Sequence, residues 1–180
     1  MTALQRTGAA YQIAAARSGD LPLLAAVELA AARLFDGWHV PERVLAETTS
    51  QEALEDAQRR GHLWVALAED VPVGFAHAKV LEPGVAHLDE LDVHPDHGRR
   101  GLGKRLVTAV CEWAASVGYQ SVTLATFRDV PWNMPFYARL GFEVIPSEEL
   151  TPALLAVVRD ETRRGLDPTR RVMMRRWSAA

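Results

Sequence analysis

Cysteine is almost absent. A single residue, Cys111, excludes an internal disulfide and a cysteine-rich metal centre. No apolar run approaches the length of a membrane span. The opening Met-Thr-Ala-Leu-Gln-Arg-Thr-Gly lacks the apolar core of a secretion signal. Nor is there a large excess of charge of one sign. The net charge is -3, which gives no electrostatic reason to expect general nucleic-acid binding. These absences point to the cytoplasm as the expected compartment. What the chain does have is 180 residues with 48% hydrophobic content, enough for one domain with its own core. The last twenty residues carry six arginines against Glu161 and Asp167, which reads as a solvated strand face.

Residues 1–10 read as a loose tail and residues 11–180 as a single domain. Tyr11 to Arg17 is predicted as a first strand. Ser18-Gly19-Asp20 precedes a helix in which Leu23, Leu24, Val27, Ala30, Ala31 and Leu34 recur at helical spacing. Glu42 to Glu47 forms a turn or two of helix. Ser50 caps another helix that ends at Gly61. His62–Ala68 and Val73–Leu81 form a hairpin about Glu69-Asp70-Val71-Pro72, and Ala86–Val93 is the next strand. A helix from Leu102 carries Leu106, Ala109, Val110, Trp113 and Val117 on one stripe and stops at Gly118. Gln120–Thr126 is a strand, Pro131–Leu140 a short helix, and Phe142–Ile145 a strand. Thr151-Pro152 opens a helix to Arg164, and Arg170–Trp177 is the last strand. The resulting class is α+β in a single domain.

Between the Ala86–Val93 strand and the Leu102 helix lies His94-Pro95-Asp96-His97-Gly98-Arg99-Arg100-Gly101-Leu102-Gly103-Lys104. Glycines here let backbone amides approach a ligand, and a helix N-terminus adds unpaired donors and partial positive charge. The combination suits a phosphate or pyrophosphate. Three readings compete. One is a plain strand–turn–helix corner. The second is a P-loop, since Gly98 to Lys104 spells G-x-x-x-x-G-K; the next residue must then be Ser or Thr, and it is Arg105. The third is a coenzyme A loop.

The third reading carries a resemblance. Leu91-x-Val93-x-Pro95 followed by Arg-Arg-Gly-Leu-Gly-Lys resembles the acetyl-CoA motif of the GNAT N-acetyltransferase superfamily, Gln/Arg-x-x-Gly-x-Gly/Ala. Gly98 stands at the first position, where the family has Gln or Arg; this removes a side chain while the backbone donors are expected to remain. Asn133…Phe136-Tyr137-Ala138-Arg139-Leu140-Gly141-Phe142 is similar to the family's second signature, one helix and one strand further on. Taken alone it reads as a core helix. The resemblance covers nearly the whole chain and implies a mixed, mostly antiparallel central sheet flanked by helices. It implies acetyl-CoA as co-substrate, with no metal, and direct transfer to an amine through a ternary complex. Leu91, Asp92 and Val93 would pair with the pantetheine arm, Arg99, Arg100, Gly101, Leu102, Gly103 and Lys104 would hold the pyrophosphate, and Asn133 would contact the cofactor chain. Tyr137 would protonate the leaving thiolate.

The attacking amine must lose a proton. The resemblance implies a base on the Ala86–Val93 strand. Alternation puts His87, Asp89, Leu91 and Val93 on one face and Leu88, Glu90 and Asp92 on the other. His87 or Asp89 then fits, or Glu90 if a bulge shifts the face. His87 has the ordinary pKa best matched to the task. Trp38 and His39 are candidates for the acceptor pocket. A small-molecule amine is the expected partner, without membrane or nucleic acid, and a homodimer through an open edge strand is compatible with the pattern. The rivals are a CoA-binding module without turnover and an acetyltransferase acting on a protein or aminoacyl-tRNA amine.

Overall fold

The computed structural model describes residues 11–178; the expected N-terminal tail, residues 1–10, lies outside them. Seven strands form one sheet: β1 (Tyr11–Ala15), β2 (Leu63–Ala68), β3 (Val71–Glu82), β4 (Val85–Val93), β5 (Ser121–Phe127), β6 (Glu143–Val144) and β7 (Arg171–Trp177). Their order is β1-β2-β3-β4-β5-β7-β6. Only β4 and β5 pair in parallel; the other neighbours are antiparallel. The α+β class and the mostly antiparallel sheet agree with the sequence. The insertion of β7 between β5 and β6 does not follow from chain order.

Helices α1 (Leu21–Ala32), α2 (Glu42–Leu45), α3 (Gln51–Arg60) and α6 (Pro152–Arg164) are joined by α4 (Leu102–Ser116) and α5 (Met134–Ala138). Apolar side chains of α4 and α5 pack with Ala76, Ala86, Leu88, Val122, Leu124 and Met174 on one sheet face. The other face is shared. Leu24 and Val27 of α1 and Leu54 of α3 cover Val65 and Phe75. Leu154 of α6 covers Met173, with Ala125 beside it. Between α1 and α6 the floor of β4 and β5 is left free for a site.

Local chemistry explains most boundaries. Ser50 accepts the Ala53 amide at 3.2 Å and Thr151 the Leu154 amide at 3.3 Å, so α3 and α6 begin at side-chain caps. Asp20 does not cap α1. Its carboxylate accepts the Arg17 amide at 2.7 Å and the Arg17 guanidinium, which locks the turn before the helix instead. The β2–β3 hairpin turns on Glu69 and Asp70, both with positive φ, so Val71 and Pro72 belong to β3 and not to the turn. Pro72 opposes Leu67 at a register shift, where its missing N–H is tolerated.

The helix stripes differ from the expected ones. In α1 the buried positions are Leu21, Leu24, Val27 and Ala31, while Leu23 is exposed, as is Leu34 just past the helix end. A helix apolar nearly all round gives no periodic signal to choose a face. In α4, Val107 and Ala114 are buried and Val117, past the helix end, is exposed. The arginine-rich C-terminal stretch is not simply a solvated face. Arg170 pairs with Asp129, Arg171 with Glu161 and Arg175 with Glu149. Among the described residues no helix is long and apolar enough to cross a membrane.

Leu106 is fully buried at the centre of the α4 face. Leu106→Ala is expected to cost about 2–5 kcal/mol, read as a lower urea midpoint with an unchanged denaturant slope.

Candidate active site

β4 and β5 pair only from Val85↔Ser121 to Leu88↔Leu124. Beyond Leu88 they part. At the same point β4 carries a bulge: His77 opposes Glu90 while Ala78 opposes Leu88, so Asp89 is the extra residue. Simple alternation therefore fails here. Leu88, Leu91 and Val93 all pack toward α4, and the register places His87, Glu90 and Asp92 on the face of Lys79, His77 and Phe75. Of the alternatives raised by the sequence, the bulged one holds for strand geometry.

The parting of the strands frees backbone groups. The His94 amide donates to the Val73 carbonyl at 2.8 Å. Because hydrogen-bonded pairs alternate along an antiparallel ladder, Asp92–Phe75 and Glu90–His77 are bonded pairs. Leu91 and Val93 thus turn their peptide groups toward β5, into the gap.

A cleft of about 230 Å³ opens there. Its walls bring together Glu90, Asp92 and Leu91 of β4, Glu28 of α1, Phe127 of β5, and Asn133 and Tyr137 from the start of α5. Tyr137 belongs to the α4 face and the carboxylates to the opposite one; only the gap between the strands lets them share a cavity. A wider cavity of about 810 Å³ adjoins it under α6, with Glu28, Glu47, Asp89, Glu90 and Arg164 common to both.

Glu28, Glu90 and Asp92 each bring a carboxylate oxygen within 4.8 Å of the other two. Both Glu28 oxygens accept the Thr49 amide, at 3.0 and 2.9 Å. Burial raises the Glu28 carboxyl despite these bonds. Burial, then Glu28 and Asp89, push Glu90 up to about 7. Asp92 is held well above the usual carboxylate range by burial, then by the neighbouring Glu90 and Glu28. Its Oδ2 is buried without a partner. The Tyr137 phenol is raised by burial and then by Glu90 and Asp92, so it stays protonated at neutral pH.

The other candidates fare differently. His87 is buried and lines the wider cavity, not the Tyr137 cleft. Its Nδ1 lies 2.9 Å from Thr123 Oγ1, whose hydroxyl donates to the Ala86 carbonyl at 3.1 Å. Nδ1–H is therefore the donor. Burial lowers its pKa to about 4. Asp89 is 2.7 Å from Lys79 Nζ. The remaining cations on the cavity walls are paired as well: Arg164 with Glu47 at 2.8 Å, Arg171 with Glu161, and Arg163 with Asp160 at 2.9 Å. Trp38 does not line the cleft; it packs on Trp132, and Phe35 and Val40 form the apolar wall instead. Burial raises the Cys111 thiol, which leaves it protonated.

The glycine loop starts in a short 3₁₀ turn, Pro95–His97. The Gly98 amide is used within it, donating to Pro95 O at 3.0 Å, and a Cβ at Gly98 would meet that same oxygen at 3.0 Å. The expectation that Gly98 keeps a free backbone donor is therefore corrected; the available amides begin after it. Arg99 and Gly101 have positive φ, 55° and 77°. The first helical bond of α4 is from the Arg105 amide to Gly101 O, which leaves the Leu102, Gly103 and Lys104 amides without helical partners. Gly103 fits against Phe136, 3.4 Å from where its Cβ would be, so the loop and α5 are packed together. The Arg105 guanidinium donates to the Tyr11 carbonyl at 3.1 Å and holds no metal position. These amides, with the exposed Arg99 and Arg100, fit a pyrophosphate, and the gap lined by Leu91 and Val93 fits an extended arm.

Sequence reasoning missed Glu28. It is the one charged residue of α1, and that isolation in an apolar helix was the available signal.

Comparison with known proteins gives a consistent result. Residues 28–142 match the profile of the Acetyltransferase (GNAT) family. A glucosamine 6-phosphate N-acetyltransferase of Trypanosoma brucei brucei is 36% identical over 58 residues, 32% of this chain and only 37% of that enzyme. An aminoglycoside N(6')-acetyltransferase type 1 of Salmonella typhimurium is 27% identical over 99 residues, 49% of this chain and 68% of that one. Among solved structures, PaiA N-acetyltransferase of Thermoplasma acidophilum, in complex with coenzyme A, superposes with a TM-score of 0.73 at 18% identity, over 93% of this chain and 99% of that one.

Glu90 binds a proton more tightly folded than unfolded, so its contribution to stability is full below about 4.5 and is lost as pH rises toward about 7. His87, with its lowered pKa, works in the opposite sense over an overlapping range. The two are separated by Glu90→Gln. The stability of this variant relative to the wild type is expected to increase between pH 5 and 8 in urea titrations, whereas a flat difference would remove the raised carboxyl.

Proposed function

The chain belongs to the Acetyltransferase (GNAT) family, and from that premise we propose that it is an acetyl-CoA-dependent N-acetyltransferase acting on a small amine, with Glu90 as general base and Tyr137 as general acid. The observation that carries this reading is the meeting of Tyr137 and the raised Glu90 carboxyl in one cleft at the parting of β4 and β5. The aminoglycoside and glucosamine 6-phosphate enzymes to which the chain is similar favour a small acceptor over a protein or aminoacyl-tRNA.

Acetyl-CoA supplies an acetyl thioester. The amides of Leu102, Gly103 and Lys104, assisted by Arg99, Arg100 and the Gly101 turn, hold its pyrophosphate. Leu91 and Val93 pair with the pantetheine arm as an added strand would, Asp92 contributing backbone between them, and Asn133 borders the same channel. A Leu91 or Val93 amide directed into the gap polarises the thioester carbonyl.

Glu90 takes the proton of the attacking amine, directly or through water. Its pKa of about 7 suits a base that must be ionised before the reaction and protonated after it. As the C–N bond forms and the C–S bond breaks, Tyr137 gives its proton to the departing sulfur. A thiol has a pKa near 8.5, so a phenol with a raised pKa is a reluctant acid toward its thiolate. Part of that rise comes from the charges of Glu90 and Asp92. Once Glu90 is protonated its share falls away, and the proton on Glu90 can later restore the phenol. His87 is set aside as base because its imidazole lies outside the Tyr137 cleft, and Asp89 because Lys79 engages it.

Acetyl-CoA is expected to raise the melting temperature of the wild type, and ATP with magnesium is not. Gly103→Val should weaken acetyl-CoA binding by more than about tenfold in calorimetry, because the side chain crowds Phe136 and the free amides. Tyr137→Phe should lower kcat about a hundredfold or more; unchanged turnover would support a binding module instead. The acid limb of kcat/KM should have an apparent pKa of about 7 and disappear in Glu90→Gln.

A further inference from the structure

The amides at the start of α4 serve an anion only if the turn before them keeps its shape. Little holds that turn. Arg99 and Arg100 are exposed, and Arg99 has a left-handed backbone, which a non-glycine residue keeps only where its surroundings enforce it. Among the described residues, one hydrogen bond runs from residues 95–101 to a distant element. It joins His97 Nδ1 to the Tyr11 phenol oxygen of β1, 3.0 Å away. A phenol can serve as donor or acceptor, so this bond does not depend on the His97 tautomer. The two rings also meet edge to face, with centroids 5.8 Å apart.

Tyr11 makes two further contacts with the same region. Its ring faces the Arg100 guanidinium, whose carbon lies 5.7 Å from the ring centroid. Its carbonyl accepts both terminal nitrogens of Arg105 at 3.1 Å, which ties down the first turn of α4. The strand that carries it is at the edge of the sheet and pairs only with β2. Tyr11 itself packs, partly buried, against the core beneath α4. One residue of β1 thus grips the turn, a cation and the helix start together. Resting on the acetyltransferase reading, we propose that Tyr11 is a positioning residue of the acetyl-CoA site. It touches no phosphate, but it holds the His97 turn, the Arg100 guanidinium and the start of α4 in the arrangement that a pyrophosphate needs. Without this grip the loop must be ordered at the moment of binding, and affinity falls by that cost.

Tyr11→Phe keeps the ring facing Arg100 and the carbonyl that accepts Arg105, and removes only the bond to His97. Acetyl-CoA titrated by calorimetry is expected to bind this variant about fivefold more weakly than the wild type. Tyr11→Leu, which also removes the ring, should lose more than about tenfold. In turnover of an amine that the wild type acetylates, KM for acetyl-CoA should rise while kcat and KM for the amine hold. His97→Ala should weaken acetyl-CoA binding as well, and the double variant with Tyr11→Phe should lose no more than His97→Ala alone. Ile13→Ala takes packing from the same strand and leaves the Tyr11 contacts in place. It should lower the melting temperature without changing acetyl-CoA affinity. Unchanged affinity in Tyr11→Phe, or additive losses in the double variant, would overturn the proposal and leave the acetyltransferase reading intact. Equal losses of affinity in Ile13→Ala and Tyr11→Phe would overturn it too, because β1 would then act through stability alone. No binding of acetyl-CoA by the wild type would remove the acetyltransferase reading, and the role of Tyr11 with it.

Discussion

The single extra residue in β4 governs the site. With Asp89 inserted opposite the His77–Ala78 step, β4 changes phase and leaves its parallel partner after four residue pairs. The phase change puts Glu90 and Asp92 where simple alternation would put Asp89 and Leu91. The parting opens the sheet so that a tyrosine from one layer meets carboxylates from the other. The same step leaves the Leu91 and Val93 peptide groups without a strand partner. Asp89 itself is held by Lys79 and borders His77, so the bulge is fastened by charge at its apex. A continuous β4–β5 ladder would close the cleft, hide the backbone and separate Tyr137 from Glu90 in one stroke.

The electrostatics of the cleft carry a stability cost that the rest of the molecule does not share. Elsewhere, acids and bases are paired across elements: Arg164 with Glu47, Arg170 with Asp129, Arg171 with Glu161. In the cleft three carboxylates crowd together, and each is raised above its usual range. Like charges this close cannot all ionise, and the raised pKa of Glu90 is the chemical product of that repulsion together with burial. A group placed so that it gains and loses a proton near neutrality is what base catalysis needs, and functional sites are where such strain is retained. His87 shows the contrast. It is as buried, but its hydrogen bond to Thr123 and its depressed pKa make it a neutral strut between β4 and β5.

The glycine loop works through backbone more than through side chains. Its first glycine, which replaces the family's long polar residue, is drawn into the Pro95–His97 turn, where a Cβ would press on a carbonyl oxygen. The amides without helical partners are those that follow, presented by left-handed Arg99 and Gly101 and by the first turn of α4. Close contact between Gly103 and Phe136 ties this loop to the helix that bears Tyr137, so the glycine loop and Tyr137 are parts of one packed unit.

The sequence by itself determined the α+β class, most element positions, the side-chain caps of α3 and α6, the glycine loop and the short helix bearing Tyr137. These are local: they depend on hydrophobic period, cap chemistry and motif spacing within a few residues. It offered His87, Asp89 and Glu90 of β4 as candidates for the base that the resemblance implies, without choosing among them. Tertiary structure decided what depends on neighbours distant in sequence. The buried face of α1 was illegible because nearly every position is apolar, and Glu28 acquires meaning only when Thr49 and β4 are brought against it. The pairing of the C-terminal arginines, the insertion of β7 before β6, and the phase of β4 after Asp89 depend equally on partners far along the chain. A bulge changes one residue of register and leaves composition untouched, so no pattern within β4 could state which carboxylate would enter the cleft; only the ladder to β3 and the loss of β5 did.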